Sequence, residues 1–344
     1  MRILVIGGTR FMGPYVIRNL WAAGHEVSIF HRGQTSAELP EGVQEILGDR
    51  DRLLEYASAL RALRPDVVLD MVVWHEQHAR DLMTVFAGVA RRVVVASSQD
   101  VYRAFGRVNR REDSAIDPAP ITEDSPLREK LYPYRSEIPR AESDPRRWMD
   151  DYDKIPAERV VRSYPELPGT VLRLAAIYGP PDPQHRMFPY LKRMLDGRAA
   201  IPLEEGEARW RWTYGYVENV ADAIALTVAD ERASGRIYNI GEPFALSVVE
   251  RIEHIAQAVN WHGRIVILPT ERIPEKLRWD INVAQDIVVD TSRIRQELGY
   301  SERISLAEAF QRTIAWERDH FPMEIDPANF DYVAEDEVLA EMTE

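Results

Sequence analysis

Short runs of apolar residues alternate with segments of helical periodicity over the first 100 residues. The runs are rich in β-branched residues and are expected to be buried strands: Ile3–Ile6, Glu26–Phe30, Val67–Leu69 and Val93–Ala96. Between them, Tyr15–Ala23 and Leu53–Leu63 carry apolar residues at spacings of three and four, which is typical of helices packed on a core. This alternation predicts an α/β fold in which helices cover both faces of a parallel sheet.

The regular alternation stops after Tyr102 and returns beyond residue 150. Arg103–Arg147 is charged and contains six prolines, and so long a connection is usually a functional loop or a disordered one. Four elements are predicted farther along: a helix from Ile155 to Ser163, strands at Val171–Ala176 and Arg236–Ile240, and a helix at Ser247–Val259. The acidic end, Phe321–Glu344, lacks clear periodicity and is expected either to pack as an arm or to be loose.

The composition of the 344 residues is that of a soluble globular protein, at 45% hydrophobic and 29% charged. The length favours two lobes, because a single core stops growing at roughly 250–300 residues. The net charge of −13 argues against a nucleic acid as the main partner. The absence of cysteine excludes disulfides and thiolate chemistry. No apolar run approaches the ~20 residues of a membrane helix, so we expect a cytoplasmic protein.

A glycine-rich turn joins the first predicted strand to the first helix. Its residues are Gly7, Gly8, Thr9, Arg10, Phe11, Met12 and Gly13. A pyrophosphate binds well near free backbone N–H groups at a helix N-terminus, where the helix dipole is positive. Glycine at 7 permits a tight turn, and glycine at 13 lets the helix and the strand pack closely. Although a turn without a ligand can share this pattern, the order of strand, turn and helix predicts a dinucleotide site.

The end of the second strand selects between the two nicotinamide dinucleotides. A carboxylate there binds the ribose 2′-hydroxyl of NAD(H) and repels the 2′-phosphate of NADP(H). This chain has Arg32 instead, and Arg10 lies in the neighbouring turn. Since a guanidinium matches a phosphate well, the pattern favours NADP(H) over NAD(H), unless Arg32 is only a solvated strand end.

Eight segments within residues 1–318 follow one another in an order known from one enzyme family. They are Gly7–Gly13, Gly48–Arg50, Asp70–Val73, Ser97–Tyr102, Leu172–Pro180, Tyr216–Ala223, Tyr238–Gly241 and Asp290–Tyr300. Together they resemble the extended short-chain dehydrogenases/reductases of the NAD-dependent epimerase/dehydratase type. The resemblance implies a Rossmann-type doubly wound sheet with a smaller C-terminal substrate lobe. It also implies that Asp49 contacts adenine with Arg50 beside it, and that Met71 lies near the cofactor.

The same resemblance implies a catalytic tyrosine, a lysine four residues later and a hydroxyl group from a neighbouring strand. Ser98 matches the hydroxyl group, and Lys154 matches the lysine, which also holds the nicotinamide ribose. The residue four positions before Lys154 is Asp150, however, and the nearest tyrosine is Tyr152. On a regular helix two residues are about 200° apart, so Tyr152 would point away from the site.

Three explanations of this departure remain open. In the first, the helix begins at Pro156, and both Tyr152 and Lys154 lie in a preceding loop, from which Tyr152 still reaches Ser98. In the second, Asp150 is the acid/base, or Tyr132 or Tyr134 from the proline-rich segment replaces the tyrosine. In the third, the site binds a cofactor without catalysis.

Two further patterns favour structural roles. His75 and His78 stand three residues apart without an evident third ligand, so we predict a solvated helix start and no metal site. Arg209–Tyr214 alternates basic and aromatic residues, which predicts a strand with an aromatic face. Within it, Arg211 is a candidate for the substrate cleft. Many relatives that bind sugar nucleotides have an arginine where this chain has Trp212.

These patterns predict a dinucleotide-binding domain of residues 1–178 plus 215–242, a substrate lobe of 179–214 plus 243–320, and a tail of 321–344. The expected protein is an NAD(P)-dependent oxidoreductase or epimerase that acts by hydride transfer on a small hydroxylated substrate, such as a sugar or sugar nucleotide. Residues 103–147 are expected to close over the cleft as a lid.

The resemblance also implies a homodimer, paired through helices at about His78–Val89 and Ala157–Ser163. A different class of function remains as the alternative: an inactive cofactor-binding regulator or an RNA-associated scaffold. It is suggested by Gly7–Phe11, which also resembles the turn of chloroplast stem-loop RNA-binding relatives. The charge balance favours the enzyme.

Overall fold

Seven parallel strands form one sheet at the centre of the computed structural model, which describes residues 1–341. The strands of the chain are β1 (Arg2–Ile6), β2 (Glu26–His31), β3 (Gln44–Leu47), β4 (Val67–Asp70), β5 (Arg92–Ser98), β6 (Gly169–Leu174), β7 (Ala176–Tyr178), β8 (Ala200–Glu204), β9 (Tyr214–Tyr216), β10 (Ile237–Ile240) and β11 (Arg264–Leu268). The central sheet has the order β10-β6-β5-β4-β1-β2-β3, and every neighbouring pair is parallel. The other strands pair as β8 with β11 and β7 with β9.

Helices connect the strands and cover the sheet. Those in the described part of the chain are α1 (Gly13–Ala22), α2 (Ala57–Ala62), α3 (Glu76–Phe86), α4 (Arg103–Val108), α5 (Lys154–Val161), α6 (Phe188–Leu195), α7 (Glu205–Arg209), α8 (Val217–Ala229), α9 (Val248–Val259), α10 (Ser292–Leu298), α11 (Leu306–Asp319) and α12 (Tyr332–Ala340). Among residues 1–341, no helix combines the length and the apolarity that crossing a bilayer requires.

Two apolar layers lie on opposite faces of the sheet. Successive side chains of a strand point to opposite faces, so Val5 joins the layer that contains α1 and α8, whereas Leu4 joins the layer that contains α3 and α5. Strands buried on both faces have the continuous apolar runs from which the sheet was predicted. The prediction of a Rossmann-type doubly wound α/β fold is confirmed.

Several predicted elements change at their boundaries. The helix predicted over 53–63 is divided, because residues 50–56 form 3-10 turns and only Ala57–Ala62 is α-helical. The strand predicted over 171–176 is interrupted at Ala175, after which β7 leaves the central sheet and pairs with β9. The tail packs as an arm, since Glu335 of α12 forms an ion pair with Arg193. Residues 342–344 of the tail prediction lie outside the described residues.

The segment 103–147 is fixed to the rest of the fold, although only its first six residues are helical. The N–H of Ile121 donates to the carbonyl of Val288 over 2.7 Å. The Arg128 guanidinium donates to the backbone carbonyl of Asp100 and forms a buried ion pair with Asp153. We call residues 103–147 the lid segment, because these contacts hold it at the carboxyl ends of the strands, where the cofactor site is predicted.

A buried ion pair joins the sheet to α5. Arg173 of β6 contacts Glu158 of α5, with 2.8 Å between Nη2 and Oε2, and both side chains are nearly inaccessible. Arg173 also donates to the Tyr102 hydroxyl and to the carbonyl of Glu123, while Ser97 donates to Glu158. The two charges are therefore compensated inside the protein, where an unpaired charge is costly.

Glu158→Leu should lower the free energy of unfolding by about 3–5 kcal/mol, because it leaves the Arg173 guanidinium buried without its counter-charge. The same substitution at Glu55, which pairs with Arg52 on the surface, should change it by at most about 1 kcal/mol. Urea unfolding followed by circular dichroism measures both values. Equal effects of the two substitutions would contradict this account, and adding Arg173→Met to Glu158→Leu should recover part of the loss.

Candidate functional site

The glycine turn has the geometry that a bound phosphate requires. Gly8 has a φ of +93°, a left-handed conformation that favours glycine. A Cβ atom on Gly13 would lie 2.3 Å from the carbonyl oxygen of Gly8. Glycine at 13 therefore permits close approach within the turn itself, rather than the packing of helix on strand that the sequence suggested. No side chain caps the first turn of α1. The N–H of Gly13 donates to the carbonyl of Arg10 and Pro14 has no N–H, so this helix start attracts an anion mainly through the positive end of its dipole.

Nearly all the residues predicted to bind the cofactor line one cleft of about 990 Å³, measured with its open mouth. They are Gly7, Thr9, Arg10, Phe11, Met12, Arg32, Asp49, Arg50 and Met71. The cleft follows the carboxyl ends of β1, β2 and β4, which is where doubly wound sheets bind their ligands. Gly13 and Lys154 are absent from the lining. Gly13 contributes instead by its close approach to Gly8 within the turn.

Arg10 and Arg32 stand on the same rim of this cleft. Arg10 donates from Nε to the Thr35 hydroxyl over 2.8 Å, and Arg32 is exposed at the end of β2. The neighbouring Glu45 is held by His31, with 2.9 Å between its Oε2 and the ring Nε2. Two guanidinium groups thus stand near the end of β2. Doubly wound sheets bind there the ribose 2′ position at which NAD(H) and NADP(H) differ.

Asp49 and Arg50 line the cleft, and both also form hydrogen bonds within the protein. Asp49 accepts from the N–H of Asp51 and so caps the 3-10 turn. Arg50 is buried, pairs with Asp70 over 2.8 Å and donates to the carbonyl of His78. Its Nη1 atom is buried and has no hydrogen-bond partner among residues 1–341. An acceptor on a ligand in the cleft would satisfy that atom.

We predicted that His75 and His78 are both solvated at the start of a helix, and this prediction is wrong for His78. His78 is only 2% exposed, and its Nε2 lies 2.7 Å from a carboxylate oxygen of Asp51. His75 is half-buried and caps α3 by accepting from the N–H of His78. Burial lowers the pKa of His75 to about 4 and also lowers the pKa of His78. The spacing of the histidines did not point to Asp51, which lies 24 residues before His75.

Tyr152 lies outside α5, as the first explanation of its spacing requires. Asp153 caps the helix by accepting from the N–H of Ile155, so α5 begins at Lys154. The prediction of a start at Pro156, with Lys154 in the loop, is therefore wrong, because the Asp153 cap extends the helix by two residues. The spacing of residues along a helix therefore does not apply to Tyr152. Its hydroxyl donates to Asp100 over 2.8 Å, and the N–H of Asp100 donates to the Ser98 hydroxyl over 3.1 Å. Three candidate residues thus meet at the end of β5, because Lys154 lies 5.6 Å from the centre of the Tyr152 ring.

Lys154 is anchored by the ends of two strands. Its Nζ donates to the carbonyl of Val73 over 2.7 Å and to the carbonyl of Ala96 over 2.9 Å. The side chain is 6% exposed, and burial lowers its pKa to about 8. A third N–H of the ammonium group remains for a further acceptor.

Asp100 is a residue of the site that sequence reasoning missed. Its Oδ2 accepts from Tyr152 and, over 3.1 Å, from Tyr134 of the lid segment. Its Oδ1 is buried and has no partner among residues 1–341. Burial raises the pKa of Asp100, and burial followed by the Asp100 charge raises the pKa of Tyr152 well above its ordinary value. The signal was present, since Asp100 stands two residues after Ser98 in a segment already singled out.

Two of the alternatives to Tyr152 are engaged elsewhere. Asp150 accepts from the backbone N–H and the guanidinium of Arg140. Burial acts to raise the pKa of Asp150, but these bonds outweigh it and hold the pKa below its usual value. Tyr132 stacks under Arg135 on the surface, away from Asp100. Tyr134 does reach the site, through Asp100.

A second cavity lies beside β8 and carries aromatic and basic side chains. Its lining includes Tyr190, Trp210, Trp212, Tyr214, Arg251 and Trp279. Arg251 is 5% exposed and stacks on Tyr214, and its Nη1 has no partner among residues 1–341. The candidate Arg211 is absent from this lining. It donates instead to the carbonyl of Ala245 and pairs with Glu250.

Comparison with known proteins agrees with this geometry. Residues 129–241 match the model of the NAD dependent epimerase/dehydratase family. The matched segment is about a third of the chain, and over it the chain is similar to this family. A 2′-dehydrokanamycin reductase of Streptomyces kanamyceticus is 27% identical over 317 residues, which cover 89% of this chain and 79% of the reductase. A UDP-N-acetyl-alpha-D-glucosaminuronate decarboxylase of Bacillus cytotoxicus is 23% identical, with 92% and 98% covered.

Solved structures support the same fold for this chain. The Bordetella bronchiseptica enzyme WbmG, solved in complex with NAD, superposes with a TM-score of 0.67 at 17% identity. The match covers 93% of this chain and 94% of that one.

The Lys154 ammonium should lose its proton near pH 8, because burial lowers its pKa below the ordinary lysine value of 10.5. The chain has four lysines, so lysine labelled with ¹³C at Cε should give four resolved signals, and Lys154→Met identifies one of them. Because folding lowers this pKa, the unfolded chain binds more protons between pH 8 and 10.5, and the group's contribution to stability rises with pH there. Four signals that titrate together would refute the burial argument.

Proposed function

We propose that this protein is an NAD(P)-dependent oxidoreductase or epimerase that acts by hydride transfer on a sugar nucleotide or a related sugar. The observation that carries the proposal is the hydrogen bond from the Tyr152 hydroxyl to Asp100, whose N–H donates to Ser98, beside the Lys154 ammonium. This group lies at the carboxyl end of β5, on the same sheet edge as the glycine turn. An acid/base group and a dinucleotide site are the two parts that such a reaction needs.

The cleft fits a dinucleotide. A ligand with a pyrophosphate and an adenosine explains three features of the cleft. They are the uncapped first turn of α1, the close approach of Gly13 to Gly8 and the unpartnered Nη1 of Arg50. The glycine turn would hold the pyrophosphate, and Lys154 would hold the nicotinamide ribose. A nicotinamide bound there supplies or accepts the hydride.

The chain's own residues handle the proton. Burial and the Asp100 charge make the Tyr152 hydroxyl keep its proton at neutral pH. When a substrate hydroxyl is oxidised, its proton passes to the Tyr152 oxygen while the proton of Tyr152 moves to Oδ2 of Asp100, 2.8 Å away. Burial raises the pKa of Asp100, which suits it to receive that proton. Reduction of a ketone reverses both transfers, and Ser98 binds the substrate oxygen.

The second cavity supports an anionic substrate with a flat ring. The unpartnered Nη1 of Arg251 is buried in its wall, where a phosphate oxygen would satisfy it. Trp210, Trp212 and Trp279 offer faces on which a base or a sugar can stack. The names of the relatives point the same way, since one acts on an aminoglycoside and another on a UDP-linked sugar acid.

Tyr152→Phe should lower kcat by about 100-fold or more, because it removes the group that exchanges the proton with the substrate. Turnover of UDP- and dTDP-linked hexoses is followed by the absorbance of the reduced nicotinamide, and dinucleotide binding is measured in parallel by calorimetry. Tyr132→Phe is the matched control and should keep wild-type kcat, since Tyr132 lies on the surface. A wild-type chain that binds the dinucleotide but turns over none of these sugars would favour the inactive alternative. Full activity of Tyr152→Phe would remove Tyr152 from the mechanism.

Arg32→Glu should weaken NADP(H) binding by about tenfold or more and leave NAD(H) binding unchanged or tighter, because a carboxylate repels the 2′-phosphate. NADP(H) is the cofactor we propose, on the strength of Arg10 and Arg32 at the rim. Titration calorimetry with both cofactors measures the ratio. Arg61→Glu, which makes the same charge change outside the cleft, is the control. Wild-type preference for NAD(H) would contradict the proposal.

The two-lobe boundaries, the homodimer through α3 and α5 and the cytoplasmic location belong to the same proposal. The dimer draws support from the packing of α3 and α5 side by side on one face of the sheet. The net charge of −13 does not support the RNA-associated alternative.

A further inference from the structure

Three side chains with metal-ligating atoms meet at the mouth of the dinucleotide cleft. They are Asp51, from the 3-10 turn after β3, together with His75 and His78 at the start of α3. One ligating atom from each lies within 4.8 Å of the others. The two imidazole rings are 3.8 Å apart between centroids, and the His78 Nε2 is 2.7 Å from Asp51. A cation midway between such atoms needs only small side-chain rotations to reach bonding distances of about 2.0–2.2 Å.

The contacts of His78 are those of a positioned metal ligand. Its Nδ1 lies 3.0 Å from the carbonyl oxygen of Val72. A ligating histidine usually donates its other ring N–H to a carbonyl or a carboxylate, which fixes the ring and its tautomer. Without a metal ion, Nε2 donates its proton to the Asp51 carboxylate, and Nδ1 accepts from the N–H of Trp74 over 3.3 Å. A metal ion on Nε2 would displace that proton, and Nδ1–H would then donate to Val72. The side chain is buried, so the ring has little freedom to leave that orientation.

The other two groups can move to a cation at low cost. Asp51 is exposed, and its contact with His78 is the one that a metal ion would replace. His75 accepts from the N–H of His78 over 3.4 Å, a long and therefore weak hydrogen bond. Asp51 and His78 also line the cleft, so a fourth coordination position would open toward it.

We propose that Asp51, His75 and His78 form a binding site for a divalent transition-metal ion of the zinc class. Two imidazoles and one carboxylate form a donor set that zinc accepts, with water or a cleft ligand in the fourth position. The proposal is independent of the proposed enzyme activity, because it rests only on these three side chains. It also replaces the sequence-based expectation of no metal site, which lacked a third ligand.

The test is a titration of the tag-free full chain with Zn²⁺ by calorimetry, after dialysis against a chelator and then against metal-free buffer. The wild-type chain should bind one equivalent. His75→Asn should weaken that binding by at least about tenfold, and asparagine keeps the helix cap that His75 provides. His262→Asn is the matched control and should bind as the wild type does, because His262 is exposed and lies outside the cluster.

Two further measurements make the result decisive. Asp51→Asn removes a ligand from an exposed position, so it decides the question if His75→Asn proves unfolded by circular dichroism. Co²⁺ in place of Zn²⁺ should give the visible absorption of a four-coordinate ion, and His75→Asn or Asp51→Asn should abolish it. The proposal is overturned if the wild-type chain binds no stoichiometric zinc, or if the ligand variants bind it as tightly as His262→Asn does.

Discussion

The buried ammonium group of Lys154 is the constraint on which the candidate site depends. Lys154 is the first residue of α5. Its ammonium group donates to the carbonyl of Val73, after β4, and to the carbonyl of Ala96, in β5. A buried ammonium needs such acceptors, because desolvation without them is costly. By fixing the start of α5 against two strand ends, Lys154 sets where the preceding loop runs. Tyr152 lies in that loop and so meets Ser98 and Asp100.

The lid segment completes the same arrangement from the other side. Its Arg128 bonds both the backbone of Asp100 and the carboxylate of Asp153, which caps α5. Its Tyr134 supplies a second hydroxyl to Asp100. Folding the lid therefore removes water from around Tyr152 and strengthens every electrostatic contact there. The high pKa of Tyr152 follows from this burial and from the neighbouring carboxylate.

The two clefts carry positively charged side chains, although the protein as a whole is acidic. The chain carries −13 overall, yet the rim of the first cleft holds Arg10 and Arg32, and the wall of the second holds Arg251. Local cations in an acidic protein recruit small anions without attracting long phosphate polymers. This distribution suits a sugar-nucleotide enzyme better than an RNA-associated scaffold.

The sequence by itself determined the sheet and the glycine turn, whereas Asp49, Arg50 and Met71 of the first cleft were expected only from the family resemblance. These features are local: buried strands have continuous apolar runs, and Gly13 is needed because a Cβ would collide with Gly8 five residues away. Only the tertiary structure decided the rest. Whether Tyr152 reaches Ser98 depends on the residue at which α5 begins, and the third member of the histidine cluster, Asp51, comes from a different crossover. Contacts between distant segments are set by how the crossovers pack on the sheet, and periodicity along one segment carries no information about its neighbour in space.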